Sequence, residues 1–415
     1  MSVTSSPPAV RRAMYGVFLA FGINGVAVGA WISRIPAIRD ILAIDTAQVG
    51  LLLFTMSAGS ILGLLAAAQI VHRLGARRSI VACLLLGVVA LLVLALGVSL
   101  VPVFAVAAVG MALFGLAWSV CDVAMNVEGS AVERAMGRNL MPWFHAGWSL
   151  GSVAGAATGA AAAFLGILPA IHLAVVVALI AATAVVMPRL LPAALEEEAP
   201  EPAEGERSGF HAQLQAWKDP RVLLLGVLVL GMAFAEGSAN DWLALAMKDD
   251  RGFDDAQAAL LFGVFTAAMT IGRIAGVPLL DRFGRAPVLR VAVAAAAVGL
   301  GIVILVPFTP VMIVGIVIWG LGASLGFPVG MSAAGDDPNG AAARVSAVAT
   351  IAYCAFLVGP PVLGLVGKGV GILNSLWIVF ALIVLGWVGI SSARERGAAR
   401  PAGDEPVPTL TDPAA

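Results

Sequence analysis

Residues 72–78, HRLGARR, separate two long apolar runs, 49–71 and 79–98, and this arrangement decides the fold. Each run has the roughly 20 apolar residues that are needed to cross a bilayer core as a helix. Because backbone polar groups in lipid must find internal partners, both runs are predicted to be helical spans joined by a tight basic loop. The segments of about ten alternating residues that are typical of a transmembrane β-barrel are not found in the sequence.

The same pattern of apolar blocks and charged loops continues along the whole chain. Of the 415 residues, 60% are hydrophobic and 12% are charged, whereas a soluble domain carries about 25% charged residues. We therefore predict an all-α polytopic membrane protein with twelve transmembrane helices. The predicted spans are 13–32, 49–71, 79–98, 102–125, 143–165, 168–189, 221–245, 257–280, 287–306, 310–331, 343–366 and 370–391.

The basic residues predict the orientation of these spans. If the N-terminus is cytoplasmic, most of the 24 Lys and Arg residues fall in cytoplasmic segments, as the positive-inside rule requires. An even number of spans then places both termini in the cytoplasm. The basic residues in predicted external segments are Arg34, Arg39, Lys248, Arg251 and Lys368.

One long polar stretch, 191–220, divides the spans into two groups of six. It is rich in Pro and Glu, and such a composition cannot bury enough apolar surface to fold alone. We predict an N-terminal half over residues 1–190, a cytoplasmic acidic linker over 191–220, a C-terminal half over 221–396 and a disordered tail over 397–415. A regulatory role for the linker is the alternative to a plain tether.

The two halves repeat each other weakly. DRFGR at 281–285 occupies the place of HRLGARR, GLGAS at 320–324 that of GLAWS at 115–119, and Tyr353 that of Trp148. A basic loop repeated six spans apart resembles the major facilitator superfamily of secondary transporters. The resemblance extends from about residue 11 to 396 and departs from the family where His72 replaces the usual acid. It implies a conformational latch at Arg73, Gly75, Arg77, Asp281, Arg282, Gly284 and Arg285.

Shorter motifs resemble one branch of this superfamily. DVAMN at 122–126 is similar to the acid-x-x-x-Asn pattern of the fucose-permease-like transporters, which implies roles for Asp122 and Asn126 in proton coupling and sugar binding. HAGWSLG at 145–151, EGSANDW at 236–242 and YCAFLVGPP at 353–361 resemble the MosC-like and YbjJ-like permeases. Fucose permeases also carry an acid in span 1, where this chain has Asn24, so their two-acid relay is not carried over.

Ionisable residues inside spans are costly and usually functional. Asp122, His145 and Glu236 are the proton-coupling candidates, although an acid near the inner surface or a hydrogen-bonded His also fits plain packing. Arg273 is expected either to reach the cytoplasmic surface or to pair with an acid in the bundle. Asp241 and its neighbour Trp242 are expected at the external surface.

Glycines predict where helices pack closely or break. Gly147, Gly151, Gly155 and Gly159 in span 5 follow each other at four-residue spacing, which lets another helix approach. The Gly and Pro residues of spans 10 and 11 predict interrupted helices there.

The sequence as a whole indicates a secondary transporter of the bacterial inner membrane. We expect proton-coupled symport of a small polar solute, such as a sugar, with lipid, protons and solute as partners, no nucleic acid and a monomeric state. A proton-coupled exporter and a non-transporting membrane sensor remain alternatives. Neither a catalytic constellation, a cofactor nor a metal site is predicted. The expected substrate-binding residues are Asn24, Trp118, Asn126, Trp148, Asn240 and Tyr353.

Overall fold

The computed structural model describes residues 8–100, 102–137, 140–191, 216–336 and 341–394. Residues 192–215 of the predicted linker and the whole of the predicted tail, 397–415, lie outside these ranges. Within them, all regular secondary structure is helical, so the prediction of an all-α fold is confirmed.

Seven helices precede the linker and seven follow it in the described part of the chain. The first seven are α1 (Pro8–Ile32), α2 (Ile35–Leu42), α3 (Thr46–Leu74), α4 (Ala76–Ala95), α5 (Phe104–Met136), α6 (Met141–Phe164) and α7 (Pro169–Leu190). The next seven are α8 (Pro220–Arg251), α9 (Asp255–Phe283), α10 (Arg285–Leu305), α11 (Thr309–Ala323), α12 (Gly326–Ala334), α13 (Ala341–Val370) and α14 (Ile372–Gly386). A π-helical turn, Leu96–Leu100, extends α4, and a 3-10 turn, Trp387–Ala393, extends α14.

Eleven helical segments among the described residues are long and apolar enough to cross a membrane. The place of the predicted span 5 is taken by α6, a helix of 24 residues that is less apolar than these. Together they give the two groups of six that the sequence predicts. The short amphipathic helix α2, between the first two spans, was not predicted.

The small residues of α6 allow it to pack directly against α1. A Cβ atom added to Gly25 would lie 2.0 Å from the backbone oxygen of Trp148, and one added to Gly151 would lie 2.2 Å from that of Gly22. No side chain fits at such distances, so the two backbones are in contact. The close approach predicted from the glycine spacing is confirmed, and its partner is α1.

The internal repeat extends to local geometry. Gly75 and Gly284, which join α3 to α4 and α9 to α10, have φ values of 77° and 76°, a region that favours glycine. Asp45 caps the first turn of α3 and Asp254 that of α9, each in a capping box with the Gln three residues later. The second and eighth spans therefore begin and end in the same way.

Three sequence expectations about the C-terminal half have different outcomes. The predicted break in span 10 is confirmed, because α11 ends and α12 begins around Ser324 and Leu325. The expected break in span 11 is wrong, since α13 runs without interruption through Pro360. The expectation of an external Trp242 is also wrong: α8 continues to Arg251, and Trp242 is fully buried.

The two halves meet mainly through α3 with α13 and through α6 with α9, and α2 touches α8. The backbones of α3 and α13 are close, since a Cβ atom on Gly50 would lie 2.6 Å from the oxygen of Pro360. About two turns further along α3, Ser57 donates a hydrogen bond of 2.7 Å to the backbone oxygen of Phe356. These contacts close one end of the bundle, the end predicted to be external.

Candidate transport site

A polar stripe on α5 lines an open cleft of about 500 Å³. Asp122, Asn126, Ser130 and Arg134 follow each other at four-residue spacing and therefore share one face of the helix. With a rise of about 1.5 Å per residue, the stripe is about 18 Å long. It connects Asp122 with the exposed Arg134, at the end of the bundle predicted to be cytoplasmic.

Asp122 has few partners within this stripe. The amide of Asn126 donates to Oδ1 of Asp122 at 3.3 Å and to its backbone oxygen at 2.8 Å. Tyr353, on α13 of the other half, lies within electrostatic range of the Asp122 carboxylate. The cleft thus brings the span 4 acid and Asn126 together, and Tyr353 of the C-terminal half lies near this acid.

Glu236 is held in an ion pair inside the C-terminal half. Nη2 of Arg273, on α9, lies 2.9 Å and 3.1 Å from the two carboxylate oxygens of Glu236 on α8. The side chains are only 14% (Glu236) and 30% (Arg273) exposed. His145, an exposed residue of α6 in the other half, is within electrostatic range of the same guanidinium. His145 of the N-terminal half therefore lies near this ion pair of the C-terminal half.

Asn24 and Trp118 do not line the cleft with Asp122. They line a small cavity inside the N-terminal half, together with Cys83 and Phe114. The amide of Asn24 donates to the backbone oxygen of Ala20 at 2.8 Å and contacts the Cys121 sulfur at 3.4 Å. Both side chains thus face the interior of their own half in this conformation.

Trp148 and Asn240 are both half-buried. The backbone of Trp148 belongs to the contact between α1 and α6, and Asn240 follows Glu236 by one turn of α8.

Ionic contacts between the halves reinforce the closed end. Arg39 and Asp40 of α2 pair with Asp249 and Lys248 of α8, respectively. Burial opposes the ionisation of Asp40, but the hydrogen bonds from Lys248 and Arg39 outweigh burial and hold the pKa of this carboxyl below its ordinary value. The closed end therefore depends on ionised acids as well as on helix packing.

A third ionic contact joins α3 to α13 at the same end. Lys368 Nζ lies 2.8 Å from Oδ2 of Asp45. This hydrogen bond, together with the one from the backbone N–H of Gln48, holds the pKa of the Asp45 carboxyl below its ordinary value.

Three of the predicted latch residues make contacts within their own halves in this conformation. Arg77 donates to the backbone oxygen of Pro188 at 2.9 Å. Arg285 pairs with Asp336, which follows α12, at 2.6 Å, and Arg282 packs over the ring of Phe283. A role for these loops in holding the halves together stays a prediction for the opposite conformation, in which this end would be closed.

The sequence reasoning missed several residues of these sites. Ser130 and Arg134 extend the Asp122 stripe, and their four-residue spacing could have revealed them. Asp40 and Lys248 could not have been paired from sequence, because they are about 200 positions apart on different halves. Asp241 was placed at the surface because α8 was expected to end near residue 245, but the helix is six residues longer.

Known proteins resemble this chain in sequence over nearly its whole length. An uncharacterized MFS-type transporter of Yersinia pestis is 33% identical over 371 residues, which are 88% of this chain and 91% of the relative. The membrane protein MosC of Rhizobium meliloti is 27% identical over 382 residues, covering 91% and 89% of the two chains.

Solved transporter structures share the fold. The nucleoside transporter NupG superposes with a TM-score of 0.76 at 14% identity, covering 92% of this chain and 99% of NupG. The Escherichia coli fucose:proton symporter FucP gives a TM-score of 0.61 at 14% identity and covers 92% and 98%. The model of the Major Facilitator Superfamily matches residues 17–360 and 242–413. The chain is therefore a multi-pass transporter that belongs to the Major Facilitator Superfamily.

Proposed function

We propose that this transporter moves a small polar solute, such as a sugar or a sugar-like compound, together with protons across the bacterial inner membrane. The observation that carries the proposal is the position of Asp122. Its carboxylate lines an open cleft, and only Asn126 donates to it among the described residues. An acid that has no cation beside it can bind and release a proton without breaking an ion pair.

The polar stripe gives this proton a route. Ser130 and Arg134 continue the Asp122 face of α5 towards the open end, so water in the cleft can exchange protons with the carboxylate. The positive-inside rule predicts that this end, which carries the basic loops, is cytoplasmic, with both termini on the same side. Asn126 and Tyr353 would hold hydroxyl groups of the solute near the same carboxylate.

Glu236 has a different role in the proposal. Protonation of Glu236 would leave Arg273 as an unpaired cation inside the bundle, which costs several kcal/mol for a buried pair. We assign Glu236 to fixing Arg273 opposite His145, and the exchanged proton to Asp122, with His145 as the second candidate.

The test uses the purified protein in liposomes that contain a pH-sensitive dye. An inward proton flux that accompanies one solute from a panel of sugars, polyols and lipophilic cations, and that is lost in Asp122→Asn, supports the proposal. Val123→Ala is the matched control, because Val123 also lines the cleft on α5 but is apolar and lies outside the polar stripe, so this variant should keep the flux. Proton movement driven only by cations would favour an exporter, and an unchanged flux in Asp122→Asn would contradict the coupling assignment.

A further inference from the structure

A second acid without a partner lies inside the bundle, on α8. Asp241 is about 32 Å from the start of this helix, and the helix continues for about 15 Å beyond it. The half-buried carboxylate of Asp241 makes no hydrogen bond and no ion pair with any residue in the described ranges. A carboxylate in such a position costs about 2.5–3.5 kcal/mol on insertion scales, so it requires an explanation.

Two further polar groups beside Asp241 also lack protein partners. Ser238 is 3% exposed and Trp242 is fully buried, yet neither Oγ of Ser238 nor Nε1 of Trp242 has a hydrogen-bond partner. Residues at i, i+3 and i+4 share one face of a helix. Since an unsatisfied buried donor or acceptor costs about 1–3 kcal/mol, two such groups beside the unpaired Asp241 carboxylate indicate a site that acts on protons or solvent.

The charges around this face leave the Asp241 carboxylate uncompensated. Within α9 and α13, Arg273 is bound to Glu236, and Tyr353 lies near Asp122. Helices α11, α12 and α14 carry no charged residue. The charged groups at the closed end have other partners or none, and none of them pairs with Asp241: Arg39, Asp40, Lys248, Asp249, Asp250, Arg251, Asp254, Asp255 and Lys368.

The position of this face relates it to the closed end. Gly237, one turn before Asp241, lies close to Phe356 on α13. A Cβ atom added to Gly237 would be 3.1 Å from the Phe356 ring. An added Cβ atom on Gly364 of α13 would lie 3.1 Å from the Trp242 ring and 2.8 Å from the backbone oxygen of Thr46 on α3. Opening the closed end requires α3 and α13 to separate, and this separation would uncover the region next to Asp241.

We propose that Asp241, with Ser238 and Trp242, is a second protonation site of this transporter, which takes up its proton from the end that is closed here. The proposal rests on the proton coupling proposed above and gives each half one free acid, Asp122 in the N-terminal half and Asp241 in the C-terminal half. A proton from water binds the carboxylate to give the neutral acid, and the reverse step returns it to water. A metal cation fits this face less well, because α8 is continuous and its backbone oxygens are engaged in the helix.

The site is tested by infrared difference spectroscopy of the purified protein during a pH titration, which needs no transported solute. Low pH should produce carbonyl bands of protonated carboxyl groups, one lost in Asp241→Asn and a different one lost in Asp122→Asn. Thr266→Val is the control from the neighbouring helix α9, because Thr266 donates only to the backbone oxygen of Phe262, and this variant should leave both bands in place. Ser238→Ala keeps the acid and should displace the Asp241 band without removing it, which separates a local effect from misfolding.

The outcomes distinguish this proposal from the proposed function. A spectrum of Asp241→Asn that matches the wild type would overturn the second site, whatever the transport assay gives. Loss of the Asp241 band on adding sodium chloride, but not potassium chloride, would replace the proton by a sodium ion and also overturn it. If both bands are present while no solute drives proton flux in liposomes, the site is supported and the proposed symport fails.

Discussion

The Glu236–Arg273 pair gives the most quantitative prediction about this protein. Two unit charges about 4 Å apart attract each other by about 4 kcal/mol at an effective dielectric constant of about 20. Because the Arg273 side chain is 30% exposed, solvent screening reduces the expected coupling to about 2–3 kcal/mol. Glu236→Gln and Arg273→Gln should each lower the free energy of unfolding by about this amount, since each leaves one uncompensated charge in the bundle.

A double-mutant cycle measures this coupling directly. The double variant carries two neutral amides and should be no less stable than either single variant. If the two changes were independent, their losses in free energy of unfolding would instead add. The assay is equilibrium unfolding in mixed micelles with increasing sodium dodecyl sulfate, followed by tryptophan fluorescence.

Thr266 supplies the control for the cycle. It lies on α9 and donates only to the backbone oxygen of Phe262. The losses in free energy of unfolding caused by Thr266→Val and by Glu236→Gln should therefore add in the double variant. A coupling below about 0.5 kcal/mol between Glu236 and Arg273 would refute the reasoning, because changes at independent sites add within that range.

Three further predictions concern helix packing and the closed end. Gly25→Leu should reduce the yield of folded protein, measured by gel filtration, because a Cβ atom would lie 2.0 Å from the Trp148 oxygen; wild-type yield would contradict the packing. Lys368→Gln should loosen the closed end and speed the labelling of a cysteine placed at Thr46, the residue next to Asp45, by an impermeant thiol reagent, and an unchanged rate would argue against this contact. The lowered pKa of Asp45 means that its ionic contact is present above its ordinary pKa and is lost as the pH falls through the folded-state pKa. Opening of the closed end, followed by fluorescence, should therefore become easier at acid pH in the wild type, and Lys368→Gln should lose the part of this acid dependence that comes from Asp45, while Asp40 keeps its own contacts.

The fold could be predicted from the sequence because lipid imposes a simple rule on it. Each span needs about 20 apolar residues, and the basic loops at 72–78 and 281–285 mark the same place in each half. The glycine spacing of α6 likewise predicted a close contact, although not that α1 is the partner. Helix α2 was missed because eight residues are too few to span and carry no transmembrane signal.

The site was harder to predict, because its geometry depends on contacts between distant segments. The motif at 122–126 led to Asp122 and Asn126, which do lie together on the cleft. Asn24 was grouped with them by its position in span 1, but its side chain faces α5 inside the N-terminal half. Asp241 was placed at the external surface because span 7 was expected to end near residue 245, and the sequence alone did not show that α8 continues as a helix to Arg251.

The central claim, that Asp122 couples solute movement to protons, is tested most directly by comparing two transport modes of one variant. Liposomes containing Asp122→Asn should exchange labelled solute for unlabelled solute at the wild-type rate, because exchange returns the carrier without releasing a proton. The same liposomes should fail to accumulate solute under an inward proton gradient. Accumulation equal to that of the wild type would contradict the account.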